Sequence, residues 1–407
     1  MAKYFDVSLA DQIQEKTLEE INKMDKLHIL LVGKTGVGKS TLVNNLFREK
    51  LAATGVGKPV TPHLRRIEKE GVPLVLYDTR GLELDQAVQD QVTSEIKSCL
   101  AQLAKDGDWM HCAYYCINAN ANRIEELEIN FIKQLAQEMP VILVLTQAMG
   151  QGVDDFKAYI KDLNLPIQAL IPVMAADYQI SADYTISAFG LDELMARTLE
   201  IIPEDRQAAF HNAQQVDIQA KAKLARRWAR RYIISSFGVG FTPIPFADAS
   251  ILVPMQVGML AHITAVFGIS MEKSKLVSIL AAVGGTGGAT FLGRTLVANV
   301  VKLIPGVGTM AGGVVSGTTA AVVTSALAMS YIEVLTLIAQ ADKQGEDLSA
   351  KYLGDYMRQT FKARLKRGDQ DADFKAIKNQ LDQDQDYESA ESHPNKKGSL
   401  WSRWRRK

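Results

Sequence analysis

Apolar residues in the first half of the chain come in short blocks separated by polar segments, and the block lengths predict alternating strands and helices. Leu27 opens an aliphatic run that breaks at a glycine-rich turn and resumes, from Thr41 to Phe47, with helical spacing. Further strands are predicted at Leu64 to Glu68, Val72 to Tyr77, Met110 to Ile117, Val141 to Thr146 and Ala169 to Val173, with helices near Arg123 to Glu138, Asp154 to Leu163 and Leu191 to Ile201. Such alternation implies an α/β fold with a doubly wound, mostly parallel sheet. Residues 1–26 lack the apolar core and cleavage site of a secretory signal and read as a polar helix leading into the first strand.

Beyond Pro203 the pattern changes twice. Lys221 to Arg231 is a basic helical stretch; three runs then follow with almost no charge, bracketed by Asp248 and Glu272, by Lys275 and Arg294, and by Lys302 and Glu333. They predict an all-α hydrophobic domain. Each run reaches or approaches the ~20 residues that span a bilayer, and small residues such as Gly284, Gly285, Gly287, Gly288, Gly312, Gly313 and Gly317 permit close helix contacts. Pro254, Gln256, His262 and Arg294 interrupt the runs, as a buried soluble core would allow. Membrane association through residues 233–345 is the expectation and a soluble bundle the alternative. Cationic flanks at Arg226 to Arg231 and Lys362 to Arg367 would then keep both ends cytoplasmic, with an even number of crossings. Asp248 and Arg294 are expected to pair. The predicted units are an N-terminal helix (1–26), the α/β domain (27–202), a basic linker helix (203–232), the hydrophobic domain (233–345) and a charged tail (346–407). From Gly368 to Ser392 the tail is acidic and reads as disordered. It ends with Trp401 and Trp404 among cations, a composition suited to an anionic membrane surface or simply to solvent.

Charge adds a limit. Lysine plus arginine equals aspartate plus glutamate at 46 each in 407 residues, so no overall field points to nucleic acid. Three cysteines, Cys99, Cys112 and Cys116, form no disulfide framework and fit a reducing compartment. On a strand, Cys112 and Cys116 face away from His111, which disfavours a metal site.

The chemistry begins after the first predicted strand. Gly33-Lys34-Thr35-Gly36-Val37-Gly38-Lys39-Ser40 matches G-x-x-x-x-G-K-[ST] between a strand and a helix, with Thr41 next. Glycines at 33, 36 and 38 let the backbone aim N–H groups at phosphate oxygens, beside the positive end of the helix. Lys39 is expected on the β- and γ-phosphates and Ser40 on Mg²⁺. A second signature, Asp78-Thr79-Arg80-Gly81, ends an apolar strand about forty residues later. There Asp78 would hold Mg²⁺ through water, and the Gly81 N–H would sense the γ-phosphate. Between the two lies Lys50 to His63, the expected mobile loop; Thr61, or else Thr54, would complete the metal shell.

From Leu27 to Ile202 these motifs resemble the Era-like branch of the translation-factor GTPases. The resemblance implies GTP and Mg²⁺ as ligands, Lys39, Thr61 and Gly81 as the groups closest to hydrolysis, and a homodimer or protein activator as possible partners. It also exposes departures. Where the family carries [NT]-K-x-D, this chain has Thr146-Gln147-Ala148-Met149, so the aspartate that reads guanine is missing and guanine over adenine rests on the resemblance alone. Asp154 or Asp155 is a candidate substitute. Ala175 takes the place of the family's S-A-x contact to the base, with Ser187-Ala188 as second candidate. Leu82 stands where Ras-like members carry the water-orienting glutamine, which implies slow intrinsic turnover. K⁺-dependent relatives have asparagine at the position of Gly36, which disfavours that route, and Arg80 is a candidate for stabilising charge on a neighbouring subunit. Residues 230–341 resemble the uncharacterised domain shared with YcjF-type bacterial inner-membrane proteins, through Phe241 to Asp248, Gln256, Gly293-Arg294 and Leu303 to Gly308. That implies the cytoplasmic side of a bacterial inner membrane, with the cytoplasm as alternative. Two functions follow: a slow GTPase switch controlling the helical domain, or a nucleotide-stabilised scaffold without significant turnover.

Overall fold

The computed structural model describes residues 2–48, 51, 56–79, 86–239, 247–284 and 317–379. Its first half is a mostly parallel α/β sheet with a P-loop GTPase fold, and its second half is helical. Seven strands lie in the order β2-β3-β4-β1-β5-β6-β7: β1 Leu27–Val32, β2 Val56–Pro59, β3 Leu64–Glu68, β4 Leu74–Thr79, β5 Cys112–Asn118, β6 Val141–Thr146 and β7 Ala169–Val173. From β4 to β7 all neighbours are parallel, while β2 and β3 add an antiparallel edge.

Every residue of β1 and β6 is buried, as a strand covered on both faces requires. Alternate side chains then serve different layers. Leu30, Val32, Tyr115 and Leu143 pack with helices α3 Gln86–Lys105, α4 Glu126–Glu138 and α5 Gly152–Asp162. Ile29, Leu31, Cys112 and Val144 pack on the other face, with α2 Lys39–Leu46, α6 Leu191–Ile201 and α7 Glu204–Ala213. The α/β core thus extends past the expected limit at residue 202. Phe210 of α7 meets Phe47 edge to face at 6.0 Å, and apolar spacing alone could not assign that helix to either half.

The second half gathers α8 Ile218–Val239, α9 Ala247–Phe267, α10 Lys273–Gly284, α11 Gly317–Gln344 and α12 Ala350–Arg367 around one core. Helix α1 Ala2–Asn22 joins them, burying Leu9, Ala10 and Ile13. Three fully buried alanines on α8, Ala222, Ala225 and Ala229, leave room for a neighbouring helix to approach. Several polar groups inside the bundle find partners on other helices: Gln256 Nε2 donates to Thr324 Oγ1 (3.2 Å), Thr264 and Tyr331 share a bond of 2.7 Å, and Arg364 pairs with Glu333. Helix α11 has one stretch, Ala320–Gln344, long and apolar enough to cross a membrane, but 83% of its most apolar window is buried inside the protein. Asp248 lies on α9; Arg294 and most of the glycine-rich stretch fall outside the described residues, as does the expected Asp248–Arg294 pair.

The halves meet through polar groups. Arg48, just beyond α2, donates to the Asn212 carbonyl (2.9 Å), the Asn212 side-chain oxygen (2.7 Å) and the Gly71 carbonyl in the β3–β4 turn (2.6 Å). Asn212 in turn donates to the Ala265 carbonyl of α9. Lys221 of α8, almost wholly buried, donates to the carbonyls of Asn212 (3.3 Å) and Phe267 (2.6 Å), and burial, then nearby Arg48, pushes its pKa well down.

Candidate functional site

The glycine loop leaves the carboxyl end of β1 and enters α2 with the backbone that its sequence requires. Gly33, Gly36 and Gly38 have φ of 143°, 80° and 99°, in the region that favours glycine. At Gly33 space is also limiting, because a Cβ would lie 2.4 Å from the Cys116 carbonyl of β5. Gly38 is the N-cap of α2, so the free N–H groups of the first turn open beside Lys39, Ser40 and Thr41. Thr35, Gly36, Ser40 and Thr41 are exposed, whereas Val37 is buried and anchors the loop. Lys39 Nζ curls over the turn and donates to the carbonyls of Gly33 (2.6 Å) and Lys34 (3.2 Å). Lys34 points elsewhere, 3.3 Å from both Glu125 and Glu128 at the start of α4.

Neighbouring strand ends complete the cradle. Buried Thr146, the last residue of β6, donates toward the Val37 carbonyl (2.5 Å) and lies 3.1 Å from that of Ile117, tying the loop to the sheet. Gln147 adopts a left-handed φ of 53° that turns its amide over the loop. Its Nε2 donates to the Gly36 carbonyl (3.4 Å), its Oε1 accepts from Asn118 Nδ2 (3.3 Å), and its carbonyl accepts from Asn120 Nδ2 (3.0 Å). Asn118 and Asn120 were not read from the sequence. The available signal was their place at the carboxyl end of a buried strand, where α/β sheets bind ligands. Asp78 sits in register with Leu31, next to the strand end that feeds the loop, and Thr79 Oγ1 bonds the Leu31 carbonyl (3.1 Å).

Other expected residues are arranged differently. Thr61 precedes β3, but its hydroxyl donates to Glu95 of α3, which also accepts from the His63 N–H (3.1 Å) and faces His63 Nδ1 at 3.0 Å. Burial raises the Glu95 pKa, yet the Thr61 and His63 hydrogen bonds outweigh it and leave the carboxylate below its ordinary value. Thr61 is thus engaged with α3 in this conformation. Gly81, Arg80, Leu82 and Thr54 lie outside the described residues.

On the far side, the Ala148 N–H donates to the Val173 carbonyl (3.2 Å), setting the turn after β6 against β7. Ala175 lies two residues beyond β7 and is half-buried. The second candidate, Ser187-Ala188, closes a hairpin of β8 Tyr178–Ser181 and β9 Tyr184–Ile186, and the Ala188 N–H is taken by Asp177 (2.7 Å). Met149 is half-buried; Asp154 and Asp155 are exposed in the first turn of α5. Burial holds the thiols of Cys112 and Cys116 at about 12, so both are inert packing groups, and no His, Cys, Asp and Glu cluster suited to a metal occurs among the described residues.

The geometry fits a polyphosphate with a divalent cation. A turn that only glycine can make, a lysine ammonium on its carbonyls, an exposed serine at a helix start and an aspartate on the adjacent strand end form one constellation. Residues 28–147 match the family described as 50S ribosome-binding GTPase. Septin-9 of Homo sapiens is 24% identical over 172 residues, covering 35% of this chain and 28% of that protein. GTPase Era of Ruminiclostridium cellulolyticum is 24% identical over 211 residues, 51% of this chain and 64% of that protein. The chain spans under a third of the septin-9 proteins it matches. Among solved structures, a probable GTP-binding protein engB aligns over 43% of this chain and 98% of its own, at 18% identity and a TM-score of 0.28.

Proposed function

On the premise that residues 28–147 carry a P-loop GTPase G domain, we propose that this chain binds GTP with Mg²⁺, hydrolyses it slowly, and uses its nucleotide state to govern the helical half. The observation that carries the proposal is Lys39 on the carbonyls of a turn made by Gly33, Gly36 and Gly38. The ammonium exchanges those carbonyls for phosphate oxygens, which carry more charge and bind it more strongly. Ser40 and Asp78 would hold Mg²⁺, which when bound would supply positive charge to offset that of the phosphates. Water attacks the γ-phosphorus, the bond to the β–γ bridging oxygen breaks, and GDP and inorganic phosphate leave. Thr61 and Gly81 report the γ-phosphate, which requires Thr61 to leave Glu95. With Leu82 after the second motif, turnover is slow until a second copy or an activator supplies a polar group.

Guanine selectivity rests on the family likeness, since Met149 stands where the base-reading carboxylate would be. Competition of GTP, ATP and their diphosphates against a fluorescent nucleotide tests it, and equal displacement by ATP and GTP would sink the guanine assignment. Phosphate release from the same protein separates a slow GTPase from a scaffold that binds without turnover.

For the second half, the burial of α11 favours a packed bundle over a bilayer span. Contact with a membrane, and a place on the cytoplasmic face of one, are proposals that liposome flotation tests: protein left wholly at the bottom of the gradient rejects them.

A further inference from the structure

Nine large apolar side chains stand out among the described residues for their exposure, and four of them fall within twelve positions: Tyr178 (49%), Ile180 (54%), Tyr184 (60%) and Phe189 (44%). All four belong to the β8–β9 hairpin or to its return. Tyr178 pairs with Ile186, alternation along β9 puts Tyr184 on that same face, and Ile180 sits at the register shift between Gln179 and Ser181. The hairpin is two strands wide, so its apolar side chains have no sheet neighbour to cover them. Its base is fixed by the Met174–Phe189 bridge, directly beside Ala175. Charge narrows what could cover it: residues 177–193 include Asp177, Asp183, Asp192 and Glu193 and no lysine or arginine. A concentrated aromatic and acidic surface suits a partner with cations and flat apolar side chains.

The chain itself carries such a sequence. Lys396 to Lys407 holds six cations, Lys396, Lys397, Arg403, Arg405, Arg406 and Lys407, around Trp401 and Trp404, and no acid. Sixteen residues, 380–395, separate it from residue 379, a reach of about 55 Å when extended at ~3.3 Å per residue, comparable with the width of a folded chain of this length. We propose that the C-terminal segment Lys396–Lys407 docks in cis on the β8–β9 hairpin, its tryptophans covering Tyr178, Ile180 and Tyr184 and its arginines facing Asp183 and Asp192. Ala175, the expected base contact next to Met174, then senses the tail through the Met174–Phe189 bridge.

The test uses full-length chains and a fluorescent peptide with the sequence of residues 393–407. In the unchanged chain the native tail occupies the hairpin, so the peptide binds weakly. Trp401→Ser with Trp404→Ser vacates the hairpin, and peptide affinity should rise about tenfold or more. Adding Asp183→Lys and Asp192→Lys to that double variant should remove the gain, with nucleotide binding as the control for folding. Equal peptide affinity for the unchanged and tail-substituted chains overturns the proposal, as does binding that survives the charge reversal. A concentration-dependent dimer lost on tail substitution would overturn docking in cis. Flotation with anionic vesicles that depends on the tail, with no peptide binding, would assign the tail to membranes and overturn it too.

Discussion

Both halves bury an extensive apolar core but spend their polar residues differently. In the sheet half, the carboxyl ends of β1, β4, β5 and β6 present Lys39, Asp78, Asn118 and Gln147 around one turn, and the apolar side chains divide between two faces behind them. In the helical half, several polar side chains bond one another across helices, as Gln256 with Thr324, Thr264 with Tyr331 and Glu333 with Arg364 do. Polar groups at strand ends are available to a ligand; polar groups paired inside a bundle fix which helices pack together. Chemistry should therefore fail from the first half and stability from either.

The widest separation is expected from Lys39→Ala, which removes the one ammonium on the turn. Nucleotide affinity should fall by roughly 100-fold or more, about 3 kcal/mol, in a fluorescent titration, with the melting temperature of the nucleotide-free protein nearly unchanged. Normal binding by that variant would end the functional proposal. Leu335→Ala, at a fully buried position on α11, should do the opposite: a loss of about 2–5 kcal/mol in urea unfolding and unaltered affinity wherever the protein is folded. A single melting transition before and after would show that the halves unfold together through their seam, while their chemical difference stands. Gly33→Ala sits between these cases. A Cβ 2.4 Å from the Cys116 carbonyl, at φ 143°, should cost about 1–3 kcal/mol of stability and weaken nucleotide binding together.

A smaller effect follows from pH. Burial lowers the His28 pKa from 6.5 to about 4, against the opposing pull of Asp108 at 3.0 Å. The folded protein keeps this ring neutral, while the unfolded chain takes up a proton below about 6.5. Its contribution is therefore complete above pH 6.5 and lost as pH falls toward 4. The urea midpoint should drop between pH 7 and pH 5, and His28→Gln should flatten part of that slope; His211, also lowered to about 4 chiefly by burial, supplies another part. An unchanged slope in the His28 variant would refute the assignment.

How much of this was legible depended on where each residue's partners lie. Val141–Thr146, Ala169–Val173 and Leu191–Ile201 have the bounds expected of them, because burial on both strand faces or on a helix stripe leaves a strong periodic signal. Strand β2 was read as loop. It lies at the edge of the sheet, pairs with β3 alone and tolerates the sequence Val-Gly-Lys-Pro. The β8–β9 hairpin escaped notice for a related reason: with hardly any burial, nothing required it to alternate apolar and polar residues. Helix α1 looked polar because its contacts are remote, Gln14 bonding the Met271 carbonyl 257 residues away. At the site, the glycine loop and Asp78 were legible as spacing. The Gln147 bridge to Gly36 and the engagement of Thr61 with Glu95 depend on three-dimensional neighbours and were not.

The seam between the halves leaves little room. At Gly268, where α9 ends, a Cβ would lie 2.4 Å from the Asn212 carbonyl and 2.6 Å from Arg48 Nε. A seam without clearance behaves as a rivet and not as a ball joint, so torque applied at the nucleotide end of α2 has little slack to take up before it reaches the bundle. Strain introduced there, by a side chain at position 268 or by loss of the Arg48 guanidinium, should loosen the transmission while leaving both ends of the shaft intact.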